Sequence, residues 1–216
     1  MIQNLSEPAP QNRTMLIALS LAIFIALGFP IGLIGLAWPS IRQDYMQPLS
    51  ALGLLLGANT AGYMISTFFT SKLIERWGMG MVMTIGSLVM GGCMVAFTFS
   101  PSFLIMMAIN FVVGLGSGAV DAAINTYLAS AFTYHTMQWL HASFGVGITM
   151  GLGFMTAGLN ILDDWRFGFQ VSGGIIFLMA GVFYLTRAVW QAKMAPEHVQ
   201  SGENILEFRT PILETL

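Results

Sequence analysis

Between Thr14 and Trp190 the chain divides into six long apolar runs parted by short polar breaks, and this pattern constrains the fold more than any other feature. A helix needs about 20 predominantly apolar residues to cross a bilayer, and each run supplies them. The runs cover about Thr14–Trp38, Leu49–Ile74, Met79–Phe99, Ser102–Ala131, Met137–Leu162 and Trp165–Trp190. The expected fold is an all-α membrane protein with six transmembrane helices over residues 14–192, a polar segment at 1–13 and a polar tail at 193–216. Composition agrees: 56% of the 216 residues are hydrophobic and 8% are charged, whereas an ordinary globular chain is about 25% charged. Eight Lys/Arg and ten Asp/Glu are too few to cover a soluble surface of this length. A cytosolic enzyme, a nucleic-acid binder and a disordered chain are excluded on this ground, and the lipid bilayer is the first expected partner. The 24 glycines fit, because close backbone packing replaces the hydrophobic drive between helices in lipid.

The first run lacks a small-residue cleavage site and reads as a spanning helix rather than a cleaved signal peptide. Pro30, with Gly28, Gly32 and Gly35 around it, predicts a kink there. Lys and Arg favour the cytoplasmic side. With the N-terminus inside, Arg13, Lys72, Arg76, Arg187, Lys193 and Arg209 are cytoplasmic, and only Arg42 and Arg166 fall outside. Both termini are then cytoplasmic. Trp38, Trp77, Trp165 and Trp190 fall at predicted helix ends, where interfacial anchors belong. The single Cys93 cannot form an internal disulfide.

Polar groups inside apolar spans are costly and usually face a bundle interior or a water-filled cavity. One acid, Asp121, lies well inside a span. At 100° per residue, Asn110, Gly118, Asp121 and Asn125 all fall within about 40° of Gly114. Such a face could line a path, with glycine leaving space and Asn–Asp–Asn offering hydrogen bonds. It could equally be a small-residue packing face, with Asp121 capping its helix or pairing with Arg76. In the second span Asn59, Tyr63, Ser66 and Thr70 share one side, again within about 40°. They form either a hydrogen-bonding wall for a solute or a polar seam. In the fifth span His141 and Gly145 share a face, while Ser143, Gly147 and Gly151 form a separate small stripe suited to packing.

Enzymatic readings fail on the residues. A rhomboid-like serine site lacks its first glycine before Ser117, an aspartyl intramembrane protease needs a second buried acid, and G-L-G-S-G-A-V-D lacks a dinucleotide fingerprint's third glycine. Three His and one Cys are too scattered for a metal cluster. No enzyme activity, cofactor or metal is expected.

The loop S-K-L-I-E-R-W-G-M-G after the second span resembles the G-x-L-x-D-R-x-G-R-K signature of the major facilitator superfamily. Leu73, Arg76 and Gly78 match, and Glu75 stands in for the Asp. The segments G-L-G-S-G-A-V-D-A-A-I-N-T-Y and W-L-H-A-S-F-G-V-G are similar to the fucose-permease-like branch of bacterial sugar transporters. There an acid is followed four residues later by Asn, as Asp121 is by Asn125. E-F-R-T-P-I-L-E-T-L resembles the linker before the seventh helix of that branch. The resemblance implies an N-terminal six-helix half of such a transporter, in a bacterial inner membrane, carrying a small polar, sugar-like solute with protons. It implies Asp121 as the proton site and Glu75, Arg76 and Gly78 as gating residues, and with the polar faces described above it makes Asn125, Asn110, Asn59, Tyr63 and His141 the solute-path candidates. Gly114, Gly118, Gly147 and Gly151 are read as helix-packing positions. The first span carries no acid between Thr14 and Trp38. A second half would be needed, from another copy in a homodimer or from a C-terminal half. The competing readings are a non-transporting membrane interaction protein or inactive truncated half, and, less favoured, a drug-efflux transporter.

Overall fold

The computed structural model describes residues 10–131 and 133–190, and within them seven helices form six spans. The first span is two helices, α1 (Pro10–Gly28) and α2 (Leu33–Asp44). The others are α3 (Ala51–Trp77), α4 (Met79–Phe97), α5 (Phe103–Ala131), α6 (Tyr134–Ile161) and α7 (Arg166–Leu185). The expected all-α bundle of six long apolar helices is the observed fold. The tail at 193–216, with Lys193, Arg209 and the linker-like ending, lies outside the described residues.

Boundaries differ most from the sequence expectation at the two ends of the first span, and α7 stops at Leu185 rather than near Trp190. α1 begins at Pro10, inside the segment read as a polar lead; proline suits a first helical turn, where its missing N–H has no partner to lose. α2 runs on through Pro39 to Asp44, so much of the break S-I-R-Q-D-Y-M-Q-P is helical. The kink expected at Pro30 is a full interruption. Pro30 cannot donate a hydrogen bond, Gly32 adopts a left-handed φ of 85°, and Ile31 and Leu33 bond in tight turns to Gly28 and Pro30.

The spans pair first with fifth and second with fourth, both parallel, and third with sixth, antiparallel. Exchanging spans one to three for spans four to six leaves this pairing unchanged, the pattern of a three-plus-three repeat. Glycine sets the separations. A Cβ on Gly147 would fall on the Ile25 carbonyl and one on Gly151 on the Phe29 carbonyl, while Gly91 and Gly173 meet between α4 and α7. In lipid such close backbone approach supplies the van der Waals contact that holds helices together. The helix α4 is the centre, buried over 56% of its most apolar stretch, whereas α3 and α6 are buried over 17% and 28%. Leu54, Met64, Phe68 and Phe69 of α3 accordingly face outward.

Three of the four tryptophans expected as interfacial anchors are packing residues instead. Trp38, Trp165 and Trp190 are buried, and only Trp77 is exposed. Trp165 lies edge-on to Phe97 and Phe169, and Trp190 does so to Tyr127 and Phe183 while its Nε1 donates to Thr186 Oγ1 at 2.7 Å. A helix end is where an anchor would sit, but neighbouring helices reach these ends first.

Candidate functional site

The polar faces of the second and fourth spans meet each other. A Cβ on Gly114 would fall on the Asn59 carbonyl, and one on Gly118 would lie 2.5 Å from the Tyr63 carbonyl. The space that glycine was expected to leave for a path is therefore filled by the α3 backbone. At this separation the side chains above and below the glycines pair across the seam. Asn59 Nδ2 donates to the Asn110 carbonyl at 3.1 Å and to Asn110 Oδ1 at 3.4 Å, and Asn110 Nδ2 donates to the Leu55 carbonyl at 2.8 Å. Further along, the Tyr63 hydroxyl donates to Asp121 Oδ2 at 2.6 Å, and Asn125 Nδ2 donates to Asp121 Oδ1 at 3.1 Å. Both carboxylate oxygens thus accept a hydrogen bond in a site where bare charge would be expensive. Among the described residues the ion pairs are Arg166–Asp44 and Arg166–Asp164, so Asp121 is not partnered by Arg76. Ser66 and Thr70 bond within α3, Thr70 Oγ1 donating to the Ser66 carbonyl at 2.8 Å.

Beside the amide pair is a cavity of about 260 Å³ at the interruption of the first span. Pro30, Gly32 and Gly35 form one wall, Asn59, Asn110 and Ser117 a second, and Met90, Met94, Phe97 and Phe169 the third. The structure thus brings Asn59 and Asn110 to the cavity. Tyr63, Asp121 and Asn125 lie on the same seam but do not line it. His141 belongs to neither group: it is exposed on α6, edge-on to Phe24 at 5.5 Å. The methionine and phenylalanine wall was missed in the sequence, because apolar residues inside spans carry no signal that separates a cavity wall from packing.

Glu75 and Arg76 are exposed in the last turn of α3, and Gly78 makes the turn into α4 at a φ of 80°. Its N–H donates to the Ile74 carbonyl at 2.8 Å, closing the helix with a residue that tolerates that backbone.

The opposite end of the bundle carries a polar clasp also missed in the sequence. Arg166 Nη2 meets Asp44 Oδ2 at 3.1 Å, Nη1 meets Asp164 Oδ1 at 3.5 Å, and Nε donates to the Thr98 carbonyl at 3.2 Å. Trp165 Nε1 donates to the same Asp44 oxygen at 2.9 Å, and the Tyr45 hydroxyl donates to the Ser100 carbonyl at 2.6 Å. Burial raises the Tyr45 phenol above its ordinary 10.0, partly offset by Arg166, so it stays a donor at physiological pH. The signal available was topology: Asp44 and Arg166 fall on the same side of the membrane, one after the first span and one at the start of the sixth. Among the described residues no group of three His, Cys, Asp or Glu is placed to hold a metal.

A six-helix bundle with paired spans, an interrupted first helix and a polar seam with one intramembrane carboxylate has the form of one half of a membrane transporter. The chain belongs to the Major Facilitator Superfamily, whose sequence profile matches residues 19–213, and it is accordingly a transporter-family chain rather than an enzyme. It is similar to the 4-hydroxybenzoate transporter PcaK of Pseudomonas aeruginosa, at 23% identity over 96% of this chain and 47% of that protein. It is 24% identical to the protein of the same name in Acinetobacter baylyi, over 97% of this chain and 50% of that one. The probable sulfoacetate transporter SauU of Cupriavidus necator is 30% identical over 66% of this chain and 34% of its own length. The chain spans about half the length of the PcaK relatives it matches. These relatives are bacterial membrane transporters, and this chain is an integral membrane protein.

Proposed function

We propose that this chain forms one wall of an alternating-access pathway that carries a small organic solute together with protons, with Asp121 as the proton site. The observation that carries the reading is the Tyr63–Asp121–Asn125 cluster: one intramembrane carboxylate, hydrogen-bonded on both oxygens, bridging the second and fourth spans. Protonation would remove the charge and lower the cost of turning this face toward lipid or a closed interior during rocking. A second six-helix half, from another copy or from a C-terminal half, would complete the pathway, since superfamily halves pair about an axis along the membrane normal with the solute between them. The Lys/Arg count sets the Trp77 end as cytoplasmic, with Glu75, Arg76 and Gly78 as the gating loop there.

Two substrate classes compete. The fucose-permease resemblance favours a sugar. The aromatic and sulfonated acids in the relatives' names favour a small organic acid, whose apolar part the walls of Met90, Met94, Phe97 and Phe169 would take, and this is the class we choose. The test is uptake of labelled 4-hydroxybenzoate, sulfoacetate and L-fucose into proteoliposomes under an imposed pH gradient. Uptake that follows the gradient and loses that dependence in Asp121→Asn is expected. Unchanged proton dependence in the variant would refute the coupling role, and absence of flux for every solute would favour the inactive-half reading.

A further inference from the structure

The cavity at the interrupted first span has a chemistry that narrows what can enter it. Its lining contains no Lys, Arg, His, Asp or Glu. A carboxylate there would be desolvated with no cation to face it. The apolar wall pairs two thioethers, Met90 and Met94, with two rings, Phe97 and Phe169, a surface that grips a flat ring through sulfur–aromatic and edge contacts. Asn59 and Ser117 leave acceptors open in the lining, and Asn110 keeps one amide N–H beyond the one it gives to Leu55. Asn59 spends its amide N–H groups on Asn110, and its Oδ1 has no partner among the described residues. Turning the amide over would set that oxygen against two other oxygens, so the orientation follows from the network. Ser117 donates its proton to the Gly114 carbonyl at 3.1 Å and keeps only lone pairs for a ligand. The first-turn amides of α2 lie in the same wall and their partial charge favours an anion, but without a cationic side chain they do not offset the desolvation of a full carboxylate.

We propose that this cavity is a binding site within the half, apart from Asp121, for the hydroxyaryl end of a solute: an aromatic ring bearing a neutral hydrogen-bond donor. The ring fills the Met–Phe wall, the hydroxyl donates to Asn59 Oδ1, and any carboxylate on the same solute points out of this half. The assignment deepens the transport reading and rests on it for its purpose. Site and carboxylate share one seam: Asn110 and Asp121 are about 16 Å apart along α5 at 1.5 Å per residue.

The test uses fluorine NMR of para-fluorophenol and para-fluorobenzoate with the purified chain, at a pH where the first is neutral and the second ionised. Gly35 lines the cavity and has open space where a Cβ would stand, as does Gly57 on the exposed side of α3. Gly35→Leu should weaken para-fluorophenol binding by at least about tenfold, Gly35→Ala should weaken it less, and Gly57→Leu should leave it unchanged. Thermal unfolding of each variant confirms that it is folded. Equal para-fluorophenol binding in wild type and Gly35→Leu, or para-fluorobenzoate binding that is equally sensitive to Gly35→Leu, would overturn the site. Gly35-sensitive binding by a chain that carries no solute would uphold the site and refute transport. Asp121-dependent uptake with Gly35-insensitive binding would do the reverse.

Discussion

At the scale of the residue, the same chemical type does different work according to what lies opposite it. Gly114 and Gly57 are both glycines in apolar spans, yet a Cβ on the first meets the Asn59 carbonyl and on the second meets nothing. Gly114→Val is therefore expected to destabilise the bundle by at least about 2 kcal/mol, since overpacking against backbone cannot relax by a rotamer change. Gly57→Val should unfold with wild type in a detergent thermal melt, and equal loss in the two variants would show that the separation of α3 and α5 is not set by Gly114. The rotation that placed Asn110, Gly114, Gly118, Asp121 and Asn125 on one face was legible because helical periodicity is local. That the face is covered by α3 was not legible, because nothing in α5 specifies its neighbour.

Among the elements, the first span is the least uniform. Its α1 half packs on α6 through Gly28, Gly147 and Gly151, whereas its α2 half is tied by Asp44 to Trp165 and Arg166 at the start of α7. The interruption between them is where the cavity forms. Arg166 is 36% exposed and Asp44 41%, so the ion pair itself contributes little. The Thr98 hydrogen bond and the stacking of the guanidinium over Trp165, 4.5 Å from the ring centre, add to it. Arg166→Ala is expected to cost about 1–2 kcal/mol, and Asp44→Asn less, because Trp165 keeps an oxygen to bond. Chemical denaturation in detergent checks the order, and a larger loss in Asp44→Asn would show that the Asp44 charge, rather than the contacts of Arg166 to Thr98 and Trp165, is the main tie. The sequence placed both residues on the same side of the membrane, but it offered no measure of the gap between them.

For the whole molecule, the Lys/Arg count predicts that the turn between α3 and α4 faces the cytoplasm. Replacing Cys93 with Ser leaves a background without cysteine, on which Gln47→Cys and Ser71→Cys report opposite ends of the bundle. In intact cells a membrane-impermeant maleimide should label Gln47→Cys at once and Ser71→Cys only after permeabilisation. The reverse pattern would invert the topology drawn from the Lys/Arg count. The exposed apolar faces of α3 and α6 suit either lipid or a second half, whichever side is cytoplasmic.

What the sequence determined alone is the medium, the number of spans and the angular order of residues within each helix. These follow from hydropathy and a 3.6-residue period, which act over a few turns of one chain segment. Only the tertiary structure decided that the fourth span's polar face is a seam, that three tryptophans are buried, and that the Pro30 break opens a cavity walled by Met90, Met94, Phe97 and Phe169. Each of these depends on which helix lies opposite. In lipid that choice is made by backbone approach and side-chain fit between distant segments, and hydropathy is blind to both.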